Sequence, residues 1–338
     1  MHDRHLAAGP VGITVLVLGV LLAGMAAGHV FTVAEAAGAQ AGPRQEAGAL
    51  RTAWGDPDLQ GVWDFRTITP LERPAERGDQ EFLTEEEAAG LESAAVDRSE
   101  RLAQPSEVRT EPLPAGGSVG AYNDFWFDRG FNVVASRRTS LIVDPPDGRI
   151  PALTPAGQQR AAMRSAARAR PAVTWEDRSL FERCVTRGLP RLPGGYNQNL
   201  QILQTAEHVV ILYEMMREAR VVPLDGRPHL PAAVRLWHGD SRGRWEGDTL
   251  VVETANFSPK NDFRGAGAGL RLVERFTRVD ADTIDHQVTI SDPTTFTRAW
   301  TAAIPLRRTD APMYEYACHE GNYGMEGIMA GARADERR

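Results

Sequence analysis

The chain has 338 residues, 42% hydrophobic and 25% charged, with a formal net charge of −7. That balance is ordinary for a globular protein, and an acidic total excludes the concentrated basic face that a nucleic-acid partner requires. Lys260 is the only lysine, so nearly every cation is an arginine.

In chain order, the N-terminus reads as an address. Arg4 and flanking histidines precede a charge-free run from Leu6 to Val33, and Ala34-Glu35-Ala36 and Ala37-Gly38-Ala39 both fit small-x-small cleavage sites. A secretory signal peptide is one reading. An uncleaved anchor is the other, because the run is long enough to span ~30 Å of hydrocarbon. Either places the body on the periplasmic or extracellular side. Asp56 to Phe65 predicts a turn and a first strand. Thr84-Glu85-Glu86-Glu87 is a capping box opening a helix to about Ala103, and Pro105 to Gly120 is linker-like. Tyr122 to Gly130 gathers aromatic residues between charges, either as a plug or as a wall on which a ligand stacks through Trp126. Arg138 to Val143 reads as a strand, and Thr154-Pro155 opens a second helix to about Ala169.

From Tyr196 the pattern is β. Strands are expected over Asn199–Thr205, Val209–Met216 and Glu218–Val222. His238 to Gly243 reads as a polar loop, and Arg244 to Asn256 as a hairpin turning at Gly247-Asp248. Leu270–Val279, Thr283–Ile290 and Thr295–Ile304 complete the set, and Tyr323 to Ala330 suggests a short helix. The predicted fold is mainly β, an antiparallel barrel or barrel-like sheet of lipocalin or calycin type with a helical, loop-rich N-terminal extension. The corresponding divisions are 1–39 (signal peptide or anchor), 40–120 (extended and helical), 121–324 (barrel-like, with helical insertions) and 325–338 (tail). Cys184 and Cys318, the only cysteines, are expected to form one disulfide in an exported chain.

Alternation in the last strands places Glu274 and Phe276 on one inward face, His286 on the next, and Arg298 and Trp300 on the third. Regular hairpins would set His286 beside Arg298 and diagonally near Glu274. Ionisable groups on an apolar wall are costly unless paired or used. The trio reads either as a satisfied ionic cluster or as a pocket where His286 moves a proton, Glu274 orients it and Arg298 holds an anion. His238 and Asp240 are a second candidate pair, with a turn capped by Asp240 as the alternative. Phe276, Trp300, Tyr196 and Trp126 are the candidate ligand-binding aromatics beside Arg298. His229, His238, Asp240 and His319 lack metal-ligand spacing, so neither a metal nor a cofactor is expected. No GxSxG nucleophile elbow on a strand-to-helix turn, no GxGxxG after a strand and no P-loop is found.

The segments GVWDF, TPLERP, YNDFWFDRG, ERCVTRGLP, GYNQNLQILQT, VVPLDGRPH, GDSRGRWEGDTLVVETANF and YACHEGNYG, between Gly61 and Gly324, resemble a widespread family of exported bacterial proteins of unknown function. That resemblance implies export and carries no activity. Gly61-Val62-Trp63 also looks like the G-x-W of lipocalins, where a late arginine packs over the tryptophan. Arg298 or Arg307 would match it here, although the helical stretches between Thr84 and Gly188 depart from a simple lipocalin. Three functions follow as expectations: a binder of a small, partly apolar molecule in the barrel cavity, a membrane-tethered subunit of a larger complex, or an acid–base isomerase or hydrolase using that cavity.

Overall fold

The computed structural model describes residues 50–104, 110, 127–261 and 263–337. The predicted leader over 1–39, most of the predicted linker and Trp126 lie outside them. Among the described residues no helix is long and apolar enough to cross a membrane.

Among the described residues short runs of alternating burial build eleven strands. They are β1 (Gly61–Asp64), β2 (Ile142–Asp144), β3 (Asn199–Gln204), β4 (His208–Tyr213), β5 (Ala219–Pro223), β6 (Asp240–Glu246), β7 (Thr249–Ala255), β8 (Arg271–Arg278), β9 (Thr283–Ser291), β10 (Trp300–Ala303) and β11 (Leu306–Arg308). Nine follow one path, β5-β4-β3-β1-β11-β9-β8-β7-β6, in a nearly closed antiparallel barrel-like sheet, while β10 joins β2 to β9. β1 lies inside that path, between β3 and β11, so the order is not the simple meander of an up-and-down barrel.

The edges β5 and β6 meet without a hydrogen-bonded ladder. A Cβ on Gly243 would stand 2.7 Å from Leu224 Cδ2 and 2.8 Å from Val222 Cγ1, so the glycine lets side chains of the β5 side lie on the β6 backbone. This explains why His238 to Gly243 resembles a loop in sequence although β6 begins at Asp240. Its glycine serves a close approach between edges rather than a turn.

The strand expected over Thr295–Ile304 is divided. Trp300↔Ile290 through Ala303↔Gln287 pair β10 with one half of β9, and Leu306↔Ile284 pairs β11 with the other. Pro305 sits between them and has no amide hydrogen for the ladder. Before β10, the Thr297 amide donates to Ala152 O at 2.9–3.0 Å spacing typical of a ladder bond, here 3.0 Å, and Phe296 bridges Leu153. The chain there follows the 152–153 segment, so the inward alternation does not reach back to Arg298.

Among the described residues three α-helices lie outside the sheet. α1 (Glu85–Leu102) starts from the predicted capping box, with Thr84 accepting from the Glu87 amide and Glu87 accepting from the Thr84 amide. α2 (Pro155–Ala169) has Thr154 as N-cap and Pro at its first turn. α3 (Tyr323–Asp335) is longer than the sequence suggests. Cys184 and Cys318 form a disulfide with Cα atoms 5.7 Å apart, closing a separation of 134 residues. Cross-linking so long a loop stabilises by roughly 4–5 kcal/mol in the chain-entropy view. A disulfide is consistent with an oxidising, extracytoplasmic compartment.

The barrel interior is filled. Trp63, Ile211, Val222, Leu250, Ile284, Val288 and Trp300 are fully buried there, each such aliphatic contributing roughly 1.5–3 kcal/mol on burial. Trp63 Nε1 donates to Leu59 O at 2.9 Å. The guanidinium carbons of Arg278 and Arg308 lie 5.3 and 6.0 Å from its ring centre. These two, rather than Arg298 or Arg307, are the arginines over the first-strand tryptophan.

Candidate functional site

Strand alternation turns Tyr213 of β4, Arg220 of β5, Glu274 of β8 and His286 of β9 to the interior. Arg220 reaches across the β5–β6 seam and organises them. It donates to both Glu274 oxygens, at 2.7 and 3.2 Å, to Tyr213 Oη at 3.0 Å, to Thr254 Oγ1 at 3.1 Å and to Ser241 Oγ at 3.3 Å. Burial alone would raise the Glu274 carboxyl, but the Arg220 charge, helped by His286, holds it down to about 2. A carboxylate held so low is a poor proton acceptor at neutral pH. Burial acts against the Arg220 cation, yet Glu274 and the Tyr213 oxygen raise its pKa above the usual arginine value. Tyr213 is pushed up by burial and stays a neutral phenol.

His286 lies 3.5 Å from Glu274 through Nε2, too far for a good hydrogen bond, and neither ring nitrogen has a hydrogen-bond partner. Its ring stacks on Phe276, directly opposite in register, at 4.3 Å between centres and 14° between planes. Glu274 and His286 are therefore the diagonal neighbours that the alternation predicts. The arginine is not. Arg298 sits on the surface with 53% of its side chain exposed and pairs with Asp144 at 2.8 Å, while Arg220 occupies the interior place. Trp300 is fully buried against Phe263 and Phe296.

A second cluster stands nearer the barrel mouth, the end where β4 leads into β5 and the 186–198 loop crosses. Glu218, just before β5, contacts the Arg191 guanidinium, accepts from the Arg187 amide at 2.8 Å and lies 3.2 Å from His238 Nε2. His238 Nε2 and Thr186 Oγ1 are 2.6 Å apart, and the Gly188 amide donates to Thr186 Oγ1 at 2.8 Å. Burial, reinforced by the Arg191 and Arg220 cations, pushes the His238 imidazole down to about 4 despite its carboxylate neighbour. Glu218 is already committed to Arg191 and an amide, so the neutral imidazole is the physically sensible form. Arg191 stacks on Tyr213, its guanidinium 5.1 Å from the ring centre, which links this cluster to the interior one.

His238 and Asp240 have different partners. Asp240 accepts from the Leu230 amide at 2.8 Å and from Arg242 at 2.6 Å, and meets His229 Nδ1 at 3.0 Å. It fastens the 229–230 loop to the start of β6. Among the described residues no group of three His, Cys, Asp or Glu side chains could hold a metal.

Above the mouth cluster opens a cleft of about 1370 Å³, bounded by α1, the 127–141 segment and the 179–198 loop. Eight arginines but only three carboxylates line it among the described residues, in a chain whose net charge is −7. Arg191 forms part of its lining, and its Nε and Nη1 have no hydrogen-bond partner. Tyr196 also lines it, 6.1 Å from Phe127 and 6.2 Å from Tyr316 between ring centres. The C-terminal segment is fixed beside this loop by the disulfide, by the Tyr314 amide donating to Glu214 at 2.9 Å and by Asn322 donating to Glu182 O at 3.0 Å.

Arg220, Glu218, Arg191 and Thr186 were not among the sequence candidates. Glu218, Arg220 and Val222 share one face of a predicted strand, so period-2 alternation carried a signal for the first two. Arg191 and Thr186 lie in a Pro/Gly-rich loop where no periodicity exists to find them. Compared with family models, curated protein sequences and solved structures, the chain has no match.

Proposed function

We propose that this is an exported binding protein for a small, partly apolar anion, taken up at the barrel mouth. The observation that carries the reading is the cleft: about 1370 Å³, bordered by apolar side chains and by arginines well in excess of carboxylates. Small-molecule sites are concave and mostly apolar, with a few polar groups that fix orientation. An arginine with unpaired N–H groups suits that role, because guanidinium donors match carboxylate and phosphate oxygens. Placement at the mouth follows from the packing below it, since fully buried aromatic and aliphatic side chains occupy the barrel interior. The disulfide and the apolar leader sequence support export.

Native mass spectrometry of protein gently purified from periplasmic and membrane fractions tests this. The expected result is a chain cut near Ala36 or Ala39, carrying a small acidic adduct that denaturation releases and Arg191→Met depletes. A full-length chain in the membrane fraction, without adduct and travelling with other polypeptides, would overturn it in favour of a tethered subunit.

A further inference from the structure

We propose that the cleft selects planar aromatic carboxylates over aliphatic ones of the same size. This rests on the reading of the cleft as the binding site and names the ligand class.

The argument begins with four rings that three separate segments bring together. Phe127 meets Tyr196 at 6.1 Å between centres, Tyr196 meets Tyr316 at 6.2 Å with planes 12° apart, and Tyr316 meets Phe181 at 6.3 Å. Separations of this size belong to offset and tilted arrangements, with 56° between the Phe127 and Tyr196 planes and 31° between those of Phe181 and Tyr316, so the rings form one aromatic cluster that reaches the cleft through Phe127, Phe181 and Tyr196. Each ring is only partly buried. An arginine stands at either end, Arg129 with its guanidinium 4.0 Å from the Phe127 ring centre and Arg187 4.9 Å from that of Phe181. Phe127, Arg129, Phe181, Arg187 and Tyr196 all line the cleft.

Backbone contacts and the disulfide hold the rings in place. Phe127 packs against the bare backbone of Gly195, where a Cβ would come within 3.0 Å of its ring. The Asp128 amide donates to Gly195 O at 2.6 Å, and Gln198 donates to Asp128 O at 2.6 Å. Tyr316 is delivered from far along the chain by the disulfide two residues later.

An aromatic wall bounded by cations fits a ligand with one flat face and one anionic edge. The arene lies against the rings while its carboxylate meets a guanidinium. A saturated ring of equal volume would keep the charge contact and lose the stacking. Arene stacking of this kind adds roughly 0.5–1.5 kcal/mol beyond area burial, which corresponds to a preference of up to about tenfold.

The test is calorimetric titration of the mature, disulfide-bonded protein with 2-naphthoate, its saturated decahydro analogue and neutral 2-naphthylmethanol. We expect the naphthoate to bind about tenfold tighter than the saturated acid and the neutral alcohol to bind weakest. Tyr196→Leu and, independently, Phe181→Leu should bring the two acids to equal affinity while leaving the circular dichroism spectrum unchanged. Equal affinity of both acids for the unaltered protein would overturn the aromatic selectivity and leave the anion-binding cleft standing. Absence of binding by either acid would overturn both readings.

Discussion

Two arginine–carboxylate pairs stand at successive depths in the same barrel, and their difference separates support from availability. Arg220–Glu274 is sealed, with 2% and 1% of the side chains exposed, and both terminal nitrogens of Arg220 donate, to a carboxylate, a phenol and two hydroxyls, leaving only Nε without a partner. Arg191–Glu218 is nearly as buried, at 6% and 7%, yet Arg191 keeps two nitrogens without partners and belongs to the lining of the cleft. Burial does not distinguish them. The terminal nitrogens do: both of those on Arg220 are engaged, whereas Arg191 leaves Nη1 as well as Nε unused, and a buried group with unused donors is costly unless something else satisfies it.

The largest expected effect comes from breaking the sealed pair. Glu274→Leu leaves the Arg220 cation uncompensated in the interior and should lower unfolding stability by about 3–5 kcal/mol in urea titrations. Replacing both members, Glu274→Leu with Arg220→Met, should recover most of the loss, since apolar packing can substitute for a buried ion pair. If the double variant were no more stable than the single one, the pair would have a role beyond mutual compensation.

Acid sharpens the comparison next, because the mouth cluster has a group that responds before Glu274 does. His238 stays neutral in the fold down to about 4, whereas its ordinary value is 6.5. The unfolded chain takes up that proton between these values and the folded chain does not. His238 therefore contributes no loss above about pH 6.5, and stability falls as pH drops through the window. By pH 5 the loss should be roughly 2 kcal/mol. Glu274, lowered from 4.5 to about 2, adds its own loss only as the pH falls below about 4.5. In urea titrations between pH 7 and 5, His238→Asn should flatten the slope, whatever its effect at pH 7. An unchanged slope would place the response elsewhere.

How much of this is legible in the sequence depends on whether a residue sits in a repeating backbone. Glu274 and His286 could be placed inward and diagonal because two regular strands impose period-2 alternation. Both helix starts were readable because a capping box and a Thr-Pro pair act through residues three apart. Cys184–Cys318 followed from having only two cysteines in a chain whose N-terminal sequence reads as an export leader. Alternation failed where something else governed the backbone. Pro305 split a strand, Gly243 served a seam that no local pattern reveals, and Arg191 came from a loop without a period. The site's most exposed chemistry was the least legible part, because a mouth is assembled from connections.

Arg298 gives the smallest effect and the clearest separation between the two ways of assigning an interior arginine. Extended alternation places it inside, beside His286, where losing it would strand Glu274 and cost several kcal/mol. The structure places it outside, paired with Asp144 where 53% and 49% of the two side chains remain exposed. Solvent screens such a pair and both chains surrender rotamer freedom to form it, so exposed pairs contribute about 0–1 kcal/mol. Arg298→Ala should therefore change unfolding stability by less than about 0.5 kcal/mol and leave the acid slope untouched. Arg220→Ala, measured beside it, should resemble the loss of Glu274. Each arginine is thus a control for the other, since both remove one guanidinium and only one removes it from the interior.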